Sequence, residues 1–216
     1  MSELLKLLFE PVRVINAGNL NVPQGEFKQI KPLFEAAGFV KAQVRGLPAK
    51  FNVDFPVFDI VQFDGQNGNV LRKKSLSVLD PWFRSPAFSY FVQVLLATVV
   101  LSKYIVGTPG VGISAVQVGV PISLFLALLS KTKTWELIIN PTIEPMSGQQ
   151  EKAKEGCLSV KKGNYQVEVP RYKKVKLKYR HIVEPGVKKL ILKGFDARVA
   201  QHEYDHLHGK LIIDYE

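Results

Sequence analysis

The stretch Gln201-His202-Glu203-Tyr204-Asp205-His206 commits the end of this chain to a helix. Two histidines four residues apart share a face at helical periodicity. Both imidazoles can then reach one metal ion while the glutamate between them stands beside a bound water. Phe195, Val199, His202 and His206 fall at i, i+4, i+7 and i+11, a single stripe that carries an apolar core face into the two imidazoles. Asp196 is placed to cap the start of this helix, and Gly209 to stop it after Leu207.

Two imidazoles do not complete a catalytic metal site, which takes three protein ligands and an open position. Among the ten residues after His206 the sole glutamate is Glu216, which leaves no later helix to supply a carboxylate ligand. The pattern H-E-x-x-H-x-x-G-x-x-H finds its glycine at Gly209 but puts Ile212 where its third histidine belongs. The third ligand is therefore expected upstream. His181 sits in a Lys/Arg-rich strand-like stretch, and His208 points roughly 200° around the helix from His206. The only cysteine, Cys157, lies in Glu155-Gly156-Cys157-Leu158-Ser159. A lone cysteine is usually a small buried hydrophobe, but its thiolate binds zinc or ferrous iron strongly, and the preceding glycine leaves room for close backbone approach. Cys157, His202 and His206 are the expected ligands. Glu203 is then the expected general base, taking a proton from a water activated by the ion and passing it to a leaving nitrogen.

With these residues in view, three segments resemble the three motifs of the peptide deformylase family: Gly110-Val111-Gly112-Ile113-Ser114-Ala115-Val116-Gln117, Glu155-Gly156-Cys157-Leu158-Ser159, and Gln201 to His206. Val70-Leu71-Arg72-Lys73-Lys74 is similar to that family's N-terminal entry, so the resemblance covers about residues 68–216. It implies removal of the formyl group from N-formyl-methionyl nascent peptides, with release of formate. It implies that the Gln117 amide and the Leu158 backbone N–H stabilise the oxyanion, and that Gly110, Val111 and Gly112 pair with an extended substrate. Phe195 and Val199 would line the methionine pocket, and Glu155 and Arg171 would form an orienting ion pair behind the metal loop. The implied cofactor is one divalent ion, Fe2+ or Zn2+, with Ni2+ or Co2+ as substitutes. One departure is Ser114, where the family usually has alanine, a small-for-small change expected to act on packing behind the loop.

Composition agrees with one globular domain. A single cysteine excludes an internal disulfide and fits a reducing compartment, and no signal or transit segment is evident, so a cytoplasmic location is expected. The apolar run from Phe88 to Val106 is interrupted by Ser89, Gln93, Thr98, Ser102 and Lys103. It reads as a buried helix, and no membrane span is expected. The net charge of +10 is densest between Lys152 and Lys193, where Lys174 to Arg180 alternates basic and apolar residues as a strand with one cationic face. That face carries no motif for specific nucleic-acid recognition. The chain also lacks the long C-terminal helix some family members use at the ribosome, so any ribosome contact is expected to be transient or to use another surface.

The fold expected is α+β, mainly antiparallel strands around a central C-terminal helix carrying H-E-x-x-H. Residues 1–67, with turn signals near Gly18, Gln24 and Leu47 and a short helix expected at 31–38, read as an extension packed on a catalytic domain at 68–216. Two other functions stay open at this point. A zinc metallopeptidase would cleave internal peptide bonds. A non-catalytic metal- or RNA-binding module would keep the basic strand but have no use for Glu203.

Overall fold

A computed structural model describes residues 13–16, 54–65, 69–83, 85–181 and 186–216 of the chain. The helix expected at 31–38 and the turns expected near Gly18, Gln24 and Leu47 lie outside the described residues. In chain order the elements are β1 (Arg13–Asn16), β2 (Asp54–Val57), α1 (Asp80–Phe83), α2 (Pro86–Val100), α3 (Ser102–Val106), β3 (Gly112–Ser114), β4 (Leu124–Leu129), β5 (Thr134–Pro145), β6 (Gln150–Gly156), β7 (Gln166–Tyr172), β8 (Lys174–Arg180), β9 (Val187–Lys193) and α4 (Gly194–His206). Strands β3-β4-β5-β8-β9 form one antiparallel sheet in that order, β6 and β7 form a separate hairpin, and β1 pairs with β2.

Strand β4 is apolar at every position, and such a strand needs cover on both faces. Alternation supplies the two faces. Leu124 and Leu126 pack with Phe88, Phe91 and Leu95 of α2, whereas Phe125 and Ala127 pack with Ala197 and Ala200 of α4. The sheet is thus sandwiched at its β3–β5 end between a buried helix and the helix that bears the histidines. Toward β8, among the described residues, the α4 side is the covered one: Val175, Leu177 and Tyr179 are buried, while Lys174, Lys176, Lys178 and Arg180 alternate with them on the outer face. Glu144 pairs with Lys176 and Lys178, and Asp80 with Arg180, so part of that cationic face is neutralised locally.

The apolar run of 88–106 is two helices broken at Leu101, and no helix among the described residues is long and apolar enough to cross a membrane. Its polar members have structural work. The Thr98 hydroxyl accepts from the Phe58 N–H at 2.9 Å, and Ser102 Oγ accepts from the Gly110 N–H at 2.7 Å, which anchors the start of the glycine-rich loop to the helix end. Residues 57–63, which the boundary expected at 68 would leave in the extension, run beside the site. Val57, Phe58 and Ile60 are buried, and the N–H groups of Val61 and Phe63 donate to the carbonyls of Gln117 and Ser159, each at 2.8 Å.

The start of α4 differs from expectation. Asp196 is not its N-cap. The helix begins two residues earlier at Gly194, directly after β9, and Lys193 holds the cap position without a side-chain bond. Gly194 has φ +54°, a left-handed conformation that lets strand turn into helix with no intervening loop. The Asp196 carboxylate instead accepts from the Ser130 N–H at 2.9 Å, tying the first turn of α4 to the end of β4. The last turn closes as expected, with Leu207 as C-cap and Gly209 at φ +74°.

Candidate active site

Helix α4 and the segment following β6 bring the three expected ligands together. One ligand atom each from Cys157, His202 and His206 lies within 4.8 Å of the others, and Cys157 Sγ stands 3.3 Å from His206 Nε2. Donor atoms on a tetrahedral ion bound at about 2.0–2.3 Å stand about 3.5 Å apart, so this cluster fits one ion with little adjustment. Cys157 and His206 are buried, and His202 is half-buried at the cleft. Burial, assisted by the positive charges of His202 and Arg171, holds His206 well below its ordinary pKa, in the neutral form a metal needs. Burial also lowers His202, but hydrogen bonds to Cys157 and Glu155 outweigh it and hold that imidazole well above its ordinary value. A positive charge is what this cluster favours. His208 lies outside it, with Nδ1 2.8 Å from the Tyr204 carbonyl, and His181 does not join it.

Behind the ligands sits a carboxylate with every lone pair engaged. Glu155 Oε1 accepts from Arg171 Nε at 3.0 Å and Arg198 Nη1 at 2.8 Å, while Oε2 faces Arg171 Nη2 and His202 Nδ1, each at 3.0 Å. Engaging Nδ1 leaves the other ring nitrogen of His202 for the ion. Burial pushes the Glu155 pKa up, but the bonds from His202 and Arg171 outweigh burial and bring it down to about 2. Pairing in the β6–β7 hairpin explains the geometry. Glu155 lies opposite Val167, and Arg171 lies four residues beyond on the same face, within guanidinium reach. The remaining Arg171 nitrogen donates to Asp205 Oδ2 at 2.6 Å and to the Tyr215 hydroxyl at 3.0 Å.

Three members of this network escaped the sequence reading: Arg198, Asp205 and Tyr215. A signal existed for Arg198, which stands one helical turn before His202 and so shares its face. Asp205 and Tyr215 gave none, because their partner is on a distant strand.

Glu203 is buried and aimed into the cleft. Burial raises its pKa to about 7, against the opposing effects of the His202 charge and the Ser114 hydrogen bond. Ser114 Oγ lies 2.7 Å from Glu203 Oε2. Gly112 gives the carboxylate its space: a Cβ there would sit 2.5 Å from Glu203 Oε1. Gln117, 1% exposed, is no surface amide. Its Oε1 accepts from the Ser114 N–H at 2.8 Å, and its Nε2 points toward Ser159 Oγ at 3.2 Å and Cys157 Sγ at 3.8 Å.

Above the cluster opens a cleft of about 270 Å³ between β3, the β6–β7 hairpin and α4. Gly110, Val111, Gly112, Gln117, Cys157, Leu158, Phe195, Val199, His202 and Glu203 all line it, so the residues expected for substrate and chemistry share one cavity. Arg171 and His206 do not line it and support it from below. Phe195 is 55% exposed, which places it at the rim, whereas Val199 is buried deeper. The first residue of the expected helix stripe therefore serves the cleft and not the core.

The family model for polypeptide deformylase matches residues 57–215. This chain belongs to the polypeptide deformylase family. Among curated relatives, the peptide deformylase of Thermotoga petrophila is 40% identical over 105 residues, which make up 49% of this chain and 61% of that relative. The crystal structure of peptide deformylase from Thermotoga maritima superposes with TM-score 0.61 at 33% identity, covering 74% of this chain and 97% of that one. A Met-Ala-Ser-bound class I type b peptide deformylase from Acinetobacter baumannii superposes with TM-score 0.63 at 25% identity, covering 74% and 98%. The match to these deformylase structures carries the α+β fold, with antiparallel strands around the C-terminal helix. The start of the family-model match at residue 57 takes in the buried segment that runs beside the site.

Proposed function

We propose that this chain is a metal-dependent hydrolase that removes the N-formyl group from formyl-methionyl peptides. The convergence of Cys157, His202 and His206, with Glu203 beside them in the cleft, carries the reading. The ion, when bound, supplies Lewis acidity that brings a water's pKa to about 7 and polarises a carbonyl. Glu203 takes a proton from the attacking water as a C–O bond forms to the formyl carbon. The Gln117 amide and the Leu158 N–H donate to the developing oxyanion. As the C–N bond breaks, Glu203 returns the proton to the leaving nitrogen, giving formate and a free α-amine.

Substrate placement follows from the sheet. Strand β3 is at the edge of its sheet, and its glycine-rich approach lines the cleft, so an extended peptide can add there by backbone pairing. Val111, Val199 and Phe195 supply the apolar wall for the methionine side chain. The Met-Ala-Ser peptide in the related structure supports an N-terminal methionine product. Thiolate with two imidazoles suits Fe2+ or Zn2+, and a ligand thiolate suits a reducing, cytoplasmic setting.

Formate release from formyl-Met-Ala-Ser, assayed anaerobically on protein loaded with ferrous, nickel or zinc ion, tests this. Turnover is expected for the wild type, with Glu203→Gln about 10²–10⁴-fold slower at unchanged ion content. Wild-type turnover in the Glu203→Gln variant would remove the proposed proton carrier.

A further inference from the structure

Ser114 is the departure from the family pattern, and the structure gives its hydroxyl a partner in the chemistry. Its Oγ lies 2.7 Å from Glu203 Oε2 and 3.0 Å from the Glu203 backbone carbonyl, and the side chain is fully buried. Alanine at this position would leave that carboxylate oxygen without its hydroxyl neighbour. The same residue also faces the other expected catalytic group, since its backbone N–H holds Gln117 Oε1 at 2.8 Å.

We propose that Ser114 is a positioning residue, fixing the Glu203 carboxylate through its hydroxyl in register with the Gln117 amide fixed through its N–H. This rests on the reading of Glu203 as proton carrier. A hydroxyl has one donor and two lone pairs. It donates to Oε2 at 2.7 Å, with the Glu203 carbonyl as a second acceptor in reach at 3.0 Å. The carboxylate is thus tied to β3 by a side chain packed against it. Gly112, two residues earlier on β3, leaves the opposite oxygen free space, so the strand both makes room for the carboxylate and grips it.

Ser114→Ala separates the two ties: it removes the hydroxyl and leaves the N–H bond to Gln117 intact. On zinc-loaded protein with formyl-Met-Ala-Ser, kcat is expected to fall about tenfold with KM within about twofold and zinc content unchanged, the pattern of a lost interaction specific to the reaction. An infrared difference spectrum at alkaline pH, with Glu203→Gln subtracted to isolate the Glu203 carboxylate band, is expected to show that band shifted by Ser114→Ala. An unmoved band, or a kcat within about twofold of wild type, overturns the proposal. Should Ser114→Ala fail to fold, Ser114→Cys preserves the shape with a poor donor. A slowed reaction there supports the proposal, and wild-type kcat overturns it. If the wild type shows no deformylation, the band shift still reports the Ser114–Glu203 bond, so failure of this proposal and failure of the functional reading stay distinguishable.

Discussion

At the scale of single residues, the cluster of Cys157, His202 and His206 proposed to hold the ion was legible because its information is local. An i, i+4 pair of histidines declares its shared face in the sequence, and one cysteine leaves little choice of thiolate. The groups that hold those ligands were legible in part. Glu155 stands in the motif that contains Cys157 and the family resemblance paired it with Arg171, but the third grip on Glu155, from Arg198, depends on how a helix turn meets a hairpin. That geometry is tertiary. Glu155→Gln turns one of the two accepting oxygens into an amide nitrogen that cannot accept, which loosens the hold on His202 Nδ1 and leaves the Arg171 and Arg198 guanidinium groups short of negative charge. Zinc affinity, measured by competition with a chelator, is expected to fall about 10–100-fold. The same carboxylate has a pH signature. Its pKa is lowered from 4.5 to about 2 in the folded chain. Its contribution to stability is therefore complete above the unfolded value and is lost as pH falls through the folded one. Thermal unfolding of chelator-treated protein between about pH 4.5 and 2 is expected to steepen in the wild type relative to Glu155→Gln.

Among the elements, β8 and α4 follow from periodicity, which is why they fall where alternation and the histidine spacing put them. The start of α4 does not. Asp196 carries a good capping side chain, yet the Ser130 N–H offers it a partner across the fold, and Gly194 allows the helix to begin directly after the strand's last residue. A tertiary hydrogen bond outcompetes a local one. The close approach of β3 to α4 is equally invisible in sequence beyond the bare glycine. Gly112→Ala places a methyl against the buried Glu203 side chain, with contacts of 2.5 Å to Oε1 and 2.9 Å to Cδ before relaxation. Overpacking of this kind costs about 1–3 kcal/mol. Denaturant titration is expected to show that loss in a folded protein whose kcat has fallen at least about tenfold.

For the whole molecule, the sheet, the hairpin and the helix each contribute one part of the site, and the proposed ion would join two of them. Cys157 directly follows β6, in the connection between the two hairpin strands, and both histidines belong to α4, so an ion bound to all three would crosslink elements distant in the chain. Zinc at a hundredfold excess over its Kd is expected to stabilise the protein by about 2.7 kcal/mol. For a chain of this size that raises Tm by about 5–10 °C, and a chelator should reverse it; Cys157→Ala should lose most of the gain. Turnover can be assayed with several ions, but the ligand set is the claim on which the rest depends. X-ray absorption at the zinc edge of the loaded protein reads it directly. One sulfur and two imidazole nitrogens in the coordination sphere, with the sulfur lost in Cys157→Ala, is the expected result, and a sphere without sulfur in the wild type would contradict it.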